Sequence, residues 1–143
     1  MVLQHTQPAS QIPRARRQYL IGDDLPSDSE DVHYDLMLES EGGLLTFAAA
    51  KPPSTSHPTL PAIKLPLHRD VYLEYEGPVS NSRGTVQRVM AGTFAIKEIS
   101  PQTSLEGSFE KLIIELFPSD QEKSLRLALK RLEQDKFQLT CSC

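Results

Sequence analysis

The sequence predicts a compact antiparallel β-barrel of about eight strands, with long loops and little helix. Two features carry that expectation. Val32, Tyr34, Leu36 and Leu38 alternate with His33, Asp35, Met37 and Glu39, the period-two pattern of a strand with one apolar face. Short apolar segments also recur along the chain, separated by clusters of Gly, Pro, Ser and Asn that favour turns.

In chain order, residues 1–17 carry Pro8, Pro13 and three arginines without an apolar period, and are expected to form a flexible basic tail ahead of a domain over 18–143. "RQYLIG" is the expected first strand, and "DDLPSDSED" an exposed loop. "VHYDLMLE" follows as a strand and "LLTFAAA" as its hairpin partner, joined through Gly42-Gly43. "KPPSTSHPTLPAIKLP" is proline-rich and reads as a long irregular connection. "DVYLEYEGPVS", "RGTVQRVMAG", "GTFAIKEIS" and "FEKLIIELF" supply further strands. "EKSLRLALKRLEQ" fits two patterns. Leu125, Leu129 and Leu132 match a helical face, whereas Leu125, Leu127 and Leu129 alternate as on a strand. "FQLTC" reads as the last strand.

The 143 residues suit one domain, and 38% hydrophobic with 24% charged residues is globular composition. No apolar run approaches the ~18 residues that cross a bilayer. The opening stretch lacks the apolar centre of a secretory signal, so the cytoplasm is the expected location. Cys141 and Cys143 stand too close together for a disulfide framework and are expected as reduced thiols. The net charge of −4 opposes a generally basic nucleic-acid surface. Its distribution is uneven. No Lys or Arg lies between Arg17 and Lys51, where eight acids fall, and basic residues predominate from Lys51 to Lys97. Such a boundary fits a cation-plus-phosphate site, and equally two solvated surfaces.

Within the acidic stretch, His33 and Asp35 are two residues apart on one strand face. Imidazole with carboxylate at that spacing can converge on one cation, although polar residues on an outer strand face are also ordinary. "VHYDLMLESEGGLLTFAAAKPPS" resembles the 3′-phosphoesterase domain of bacterial DNA ligase D, whose strand runs His-Tyr-Asp-Leu-x-Leu-Glu and is followed by Ser-Trp-Ala-Val-Pro-Lys-Gly-Pro-Ser. A second block, "LHRDVYLEYEGPVSNSRGTVQRVMAGTF", is similar to that family's Asp-His-Pro-Leu-Asp-Tyr-x-x-Phe-Glu-Gly and its later Gly-Thr-Val. The likeness covers roughly residues 18–98, and the family's closing hairpin favours a strand over "LRLALKRLE".

The resemblance implies a β-barrel enzyme that removes a 3′-phosphate or a terminal ribonucleotide from DNA with manganese or another divalent cation. It implies metal ligation by His33 and Asp35, catalytic contacts from His68 and Tyr72 to the phosphate, and added positive charge from Lys51. The family's first metal histidine corresponds to Ser27, and Asp23 or Asp24 can take its place as a hard ligand. Both also fit exposed loop acids. Two phosphate-binding arginines of the family fall at Met37 and near Leu60, leaving Arg69 and Arg83 as candidate replacements. The implied partners are DNA 3′ ends and a separate ligase or polymerase, since 143 residues hold neither. A monomer with no membrane association is expected. The alternative is a catalytically weak relative that binds DNA ends or a repair partner.

Overall fold

A computed structural model describes residues 1–8, 19–20, 30–40, 43–56, 58–68, 77–78, 85–101 and 109–142. Its strands are β1 (Val2–Pro8), β2 (Glu30–Ser40), β3 (Gly43–Ala49), β4 (Thr59–His68), β5 (Gly77–Pro78), β6 (Thr85–Met90), β7 (Gly92–Ser100), β8 (Lys111–Pro118), β9 (Leu125–Glu133) and β10 (Lys136–Ser142). They form one mainly antiparallel sheet in the order β5-β6-β1-β2-β3-β4-β10-β9-β8-β7. The sheet curls into a half-barrel, so the expected antiparallel β-barrel class holds. The doubtful segment near the end is the strand β9.

Apolar residues on the inner face of the curl drive the architecture. Leu36, Leu38, Leu45, Phe47, Ala62, Phe109, Leu112, Ile114, Leu127, Leu129, Phe137 and Leu139 form one buried cluster. Phe47 meets Phe137 edge-on with centroids 5.1 Å apart, and Phe109 closes the trio. Burying each such ring or leucine stabilises the fold by roughly 1.5–3 kcal/mol. The curl also brings Val2 and Leu36 beside Phe94 and Leu116, residues of strands far apart in sheet order, around one small cavity. Gly92 starts β7 where the chain turns out of β6. A Cβ there would lie 2.2 Å from the Phe117 carbonyl oxygen, so the approach excludes a side chain.

Two expectations about the connections need correction. Val2–Pro8, placed by sequence in a flexible tail, is strand β1 and pairs with β2 on one side and β6 on the other. Val2 is 1% exposed in the core, and Met1 exchanges backbone hydrogen bonds with Met37. A polar, basic-ended segment can still be a strand when its neighbours supply both ladders and one anchoring apolar residue. Residues 9–17 lie outside the described residues.

The proline-rich connection likewise contains a ten-residue strand, β4, between β3 and β10. Its prolines stand where the ladder needs no donor. Lys64 donates to Asp135, and Cys141 to Pro58, so even-numbered residues of β4 direct their backbone groups toward β10. Pro66, of that parity, falls beyond the start of β10 at Lys136 and at a bulge opposite β3. Pro61 has the other parity and falls beyond Ala49, the end of β3. Each missing N–H lies past the end of the partner strand.

The expected first strand "RQYLIG" is described only at Tyr19 and Leu20, which lie outside the strands. Both pack on the outer face of the sheet against Ala48, Ile63 and Leu65. The Tyr19 hydroxyl donates to the Phe137 carbonyl at 2.8 Å, and burial raises its pKa above the usual phenol value. A second layer therefore covers part of the outer face of β3 and β4. Among the described residues, no helix is long and apolar enough to cross a membrane.

Candidate metal centre

On β2, Tyr34, Leu36 and Leu38 face the inner core, which turns His33, Asp35 and Met37 to the outer face. The alternation predicts a solvated polar outer face. The structure buries it instead. His33 is 8% exposed, Asp35 2% and Met37 2%. Small residues stand beside the pair on β3. Ala48 stands directly opposite Asp35 on β3, and Thr46 opposite Met37 satisfies its own hydroxyl by donating to the Leu44 carbonyl at 2.9 Å.

His33 Nε2 lies 3.3 Å from Asp35 Oδ1. A charge-assisted N–H···O bond is typically about 2.7–2.9 Å, so this contact is longer than a tight ion pair. Two donors on one cation at bonds of about 2.1 Å sit roughly 3.0–3.4 Å apart at octahedral to tetrahedral angles. The observed separation falls in that interval. Imidazole with carboxylate is also a donor set that manganese and its neighbours accept. The distance alone matches two donors of one cation as well as it matches a long His–Asp contact. Among the described residues, no cluster of three or more His, Cys, Asp or Glu side chains forms a fuller set.

The remaining expected site residues separate into three groups. Lys51 is exposed and follows the end of β3, the end of the sheet at which His33 lies. His68 closes β4 in register with Leu44, which pairs with Glu39. That row lies four residues along β2 from Asp35 and two strands across, about 13 Å and 10 Å respectively from strand geometry. The sheet thus separates the His68 backbone from the His33–Asp35 pair. Asp23, Asp24, Ser27, Arg69, Tyr72 and Arg83 lie outside the described residues.

The two positions at which the resembled family carries arginine are filled by packed apolar side chains. Met37 is buried on the outer face, and Leu60, 9% exposed, sits opposite Leu139. An arginine at either place would lose most of its hydration. A cation that the sequence reading passed over lies closer in register. Arg88 on β6 pairs with Leu3, and Leu3 pairs with Asp35, so Arg88 shares their face one strand further on. Its charge acts on the Met1 ammonium, whose pKa is lowered first by burial, with Glu39 opposing and Arg88 adding to the shift. The alternating "TVQRVM" was the available signal. A bulge at the β1–β6 register shift, between Val2 and Leu3, sets which face Arg88 takes, and sequence pattern does not disclose it.

Compared with protein-family models and with curated proteins, the chain matches none.

Proposed function

We propose that the protein is a divalent-cation-dependent phosphoesterase acting on DNA 3′ ends, with the cation held by His33 and Asp35. The observation that carries this reading is the His33–Asp35 pair, 3.3 Å apart on one strand within the motif that resembles the ligase D phosphoesterase. A bound divalent ion supplies Lewis-acid polarisation of a phosphoryl oxygen and a more acidic bound water. The chain's own contribution is orientation. The β2 backbone fixes both ligands on one face, and the apolar surroundings of Ala48 and Met37 exclude bulk water and strengthen local electrostatics. Lys51 at the His33 end of the sheet and half-buried Arg88 one strand beyond Leu3 are the described cations placed to attract a phosphate. Asp23, Arg69, Arg83 and Tyr72 retain the parts that the resemblance gives them. His68 is assigned to binding the DNA strand away from the cation, because its row is remote from Asp35.

The near-complete burial of His33 and Asp35 favours a second reading, a non-catalytic relative in which the pair is structural and the protein binds DNA ends or a repair partner. One experiment separates the two. A primer strand ending in a 3′-phosphate is incubated with the protein and Mn²⁺, and phosphate release is followed with and without chelator. Release that the chelator abolishes, and that Asp35→Asn lowers at least about tenfold, is the expected result. No release at saturating Mn²⁺, with retained preference for DNA ends over uninterrupted duplex, establishes the second reading.

A further inference from the structure

We propose that the open outer face of β8 and β9 is a docking surface for single-stranded nucleic acid, on which Phe117 stacks a base while Arg126 and Lys130 hold phosphates. The surface lies apart from the His33–Asp35 pair and stands whether or not that pair binds a cation.

Burial patterns fix which side chains share this face. Along β8, Lys111, Ile113, Glu115 and Phe117 alternate with buried residues, and along β9 Arg126, Ala128 and Lys130 alternate with buried leucines. The register sets them in rows. Arg126 opposes Glu115, Ala128 opposes Ile113, and Lys130 opposes Lys111. Successive rows are about 6.6 Å apart along a strand, which puts Arg126 and Lys130 roughly 13 Å from each other. Ala128 and Ile113 form a low apolar floor between them. Phe117 lies one row beyond Glu115, diagonal to Arg126.

The charge of this face is opposite to that of the chain, whose net charge is −4. Glu115 pairs with Lys97 and Glu98 with Lys111, so Arg126 and Lys130 are left in excess. Lys130 stands between Lys111 on β8 and Gln138 on β10. Like charges directly opposed in a ladder repel, and a bound phosphate relieves that cost. Acids bound the surface at either end, with Asp120 and Glu122 in the turn beyond Phe117, and Glu110 and Glu133 beyond the Lys111–Lys130 row.

The apolar groups decide which polyanion fits. Of the five phenylalanines, Phe117 alone is exposed, at 42%. A duplex hides its base faces in the stack and would meet the ring and the floor only with phosphate and sugar. A single strand presents base faces as well, and aromatic stacking beside cations is the sequence-tolerant way to hold one.

The test uses the full chain and a fluorescein-labelled dT oligonucleotide of about 12 nucleotides, within the usual site size for such surfaces. Binding is followed by anisotropy in EDTA, and the oligonucleotide ends in a 3′-hydroxyl, so neither a bound cation nor a scissile phosphate contributes. The expected result is binding at low salt that weakens with a log–log salt slope of about −1.4, the value for two phosphate contacts on a single strand. Arg126→Gln and Lys130→Gln should each make the slope shallower by about 0.7. Phe117→Ala should weaken binding at least about fivefold and leave the slope unchanged. No binding at low salt overturns the inference, as does an unchanged slope in both charge variants. Tighter binding of the dA·dT duplex than of the single strand overturns it in favour of duplex docking. Heparin bound as tightly as the oligonucleotide, with Phe117→Ala without effect, reduces the face to a general polyanion surface and overturns it too. Cation-dependent phosphate release is measured separately, so either proposal can fail while the other stands.

Discussion

On β10, exposure alternates without exception. Phe137, Leu139 and Cys141 are buried while Lys136, Gln138, Thr140 and Ser142 face solvent. On β2, every residue from His33 to Leu38 is buried or half-buried. Both strands carry a period-two sequence pattern, and both belong to one sheet. What differs is the covering of the outer face. Over β7–β10 that face is open to water and holds salt bridges between β7 and β8 such as Lys97–Glu115 and Lys111–Glu98. Over β3 and β4 it is covered by Tyr19 and Leu20. A polar pair on the open face would be a solvated surface feature, whereas the His33–Asp35 contact on β2 is held out of water.

The largest expected effect concerns the strand that borders the two-layered half. Deleting residues 1–8 removes β1 from between β2 and β6, takes Val2 from the core and leaves one ladder of β2 unpaired. Loss of several kcal/mol should follow, lowering the melting temperature by more than about 10 °C in a thermal scan. An unchanged melting temperature would mean that β1 contributes no stability, and that β2 holds its buried pair without it.

Next in size are core truncations, which sharpen the contrast between one-sided and two-sided strands. Phe137→Ala should cost about 3–5 kcal/mol in denaturant unfolding, because the ring packs edge-on against Phe47 at 5.1 Å. Its neighbour Gln138, exposed on the open face, should tolerate Ala within about 0.5 kcal/mol. On β3 both neighbours should matter. Phe47→Ala should resemble Phe137→Ala, and Ala48→Leu should cost about 1–3 kcal/mol by overfilling the contact with Leu20 and Ile63. Indifference at Ala48 would show that the second layer is not packed.

How much of this was legible depends on which forces act locally. The β8–β10 region was readable because alternation there means what it means in isolation, and the turn at Gln134-Asp135 lies at the predicted "EQDK". Gln134 takes a positive φ of 50°, braced by Arg131, which donates to its carbonyl and to that of Phe109 while lying over the Phe137 ring. The inner face of β2 was readable for the same reason. His33 and Asp35 were identified by spacing and motif, but their burial was not, because alternation within β2 carries no information about what lies over its outer face. β1 and β4 were missed for a related cause. His5, Gln7 and Pro8, like Pro61 and Pro66, oppose strand formation locally, and ladders from both sides of β1 and of β4 override that preference. The remoteness of His68 from Asp35 follows from sheet register, which no local pattern encodes.

The smallest effects set an ion pair in one region against an ion pair in the other. Lys97–Glu115 spans 3.8 Å with side chains 45% and 24% exposed, so solvent and salt screen it. Glu115→Ala should change stability by about 0–1 kcal/mol, and less at high salt. Asp35→Ala removes a side chain that is 3% exposed and leaves His33, at 10%, buried against a small void. It should cost about 1–3 kcal/mol, with little salt dependence, because a buried polar group loses a partner where water does not replace it. Measuring both by denaturant unfolding at low and high salt tests the contrast directly. Equal costs with equal salt sensitivity would place His33 and Asp35 in contact with solvent, and the outer face over β2 would then be as open as the face over β8. A large, salt-insensitive cost at Asp35 alone keeps the 3.3 Å pair in its dry setting.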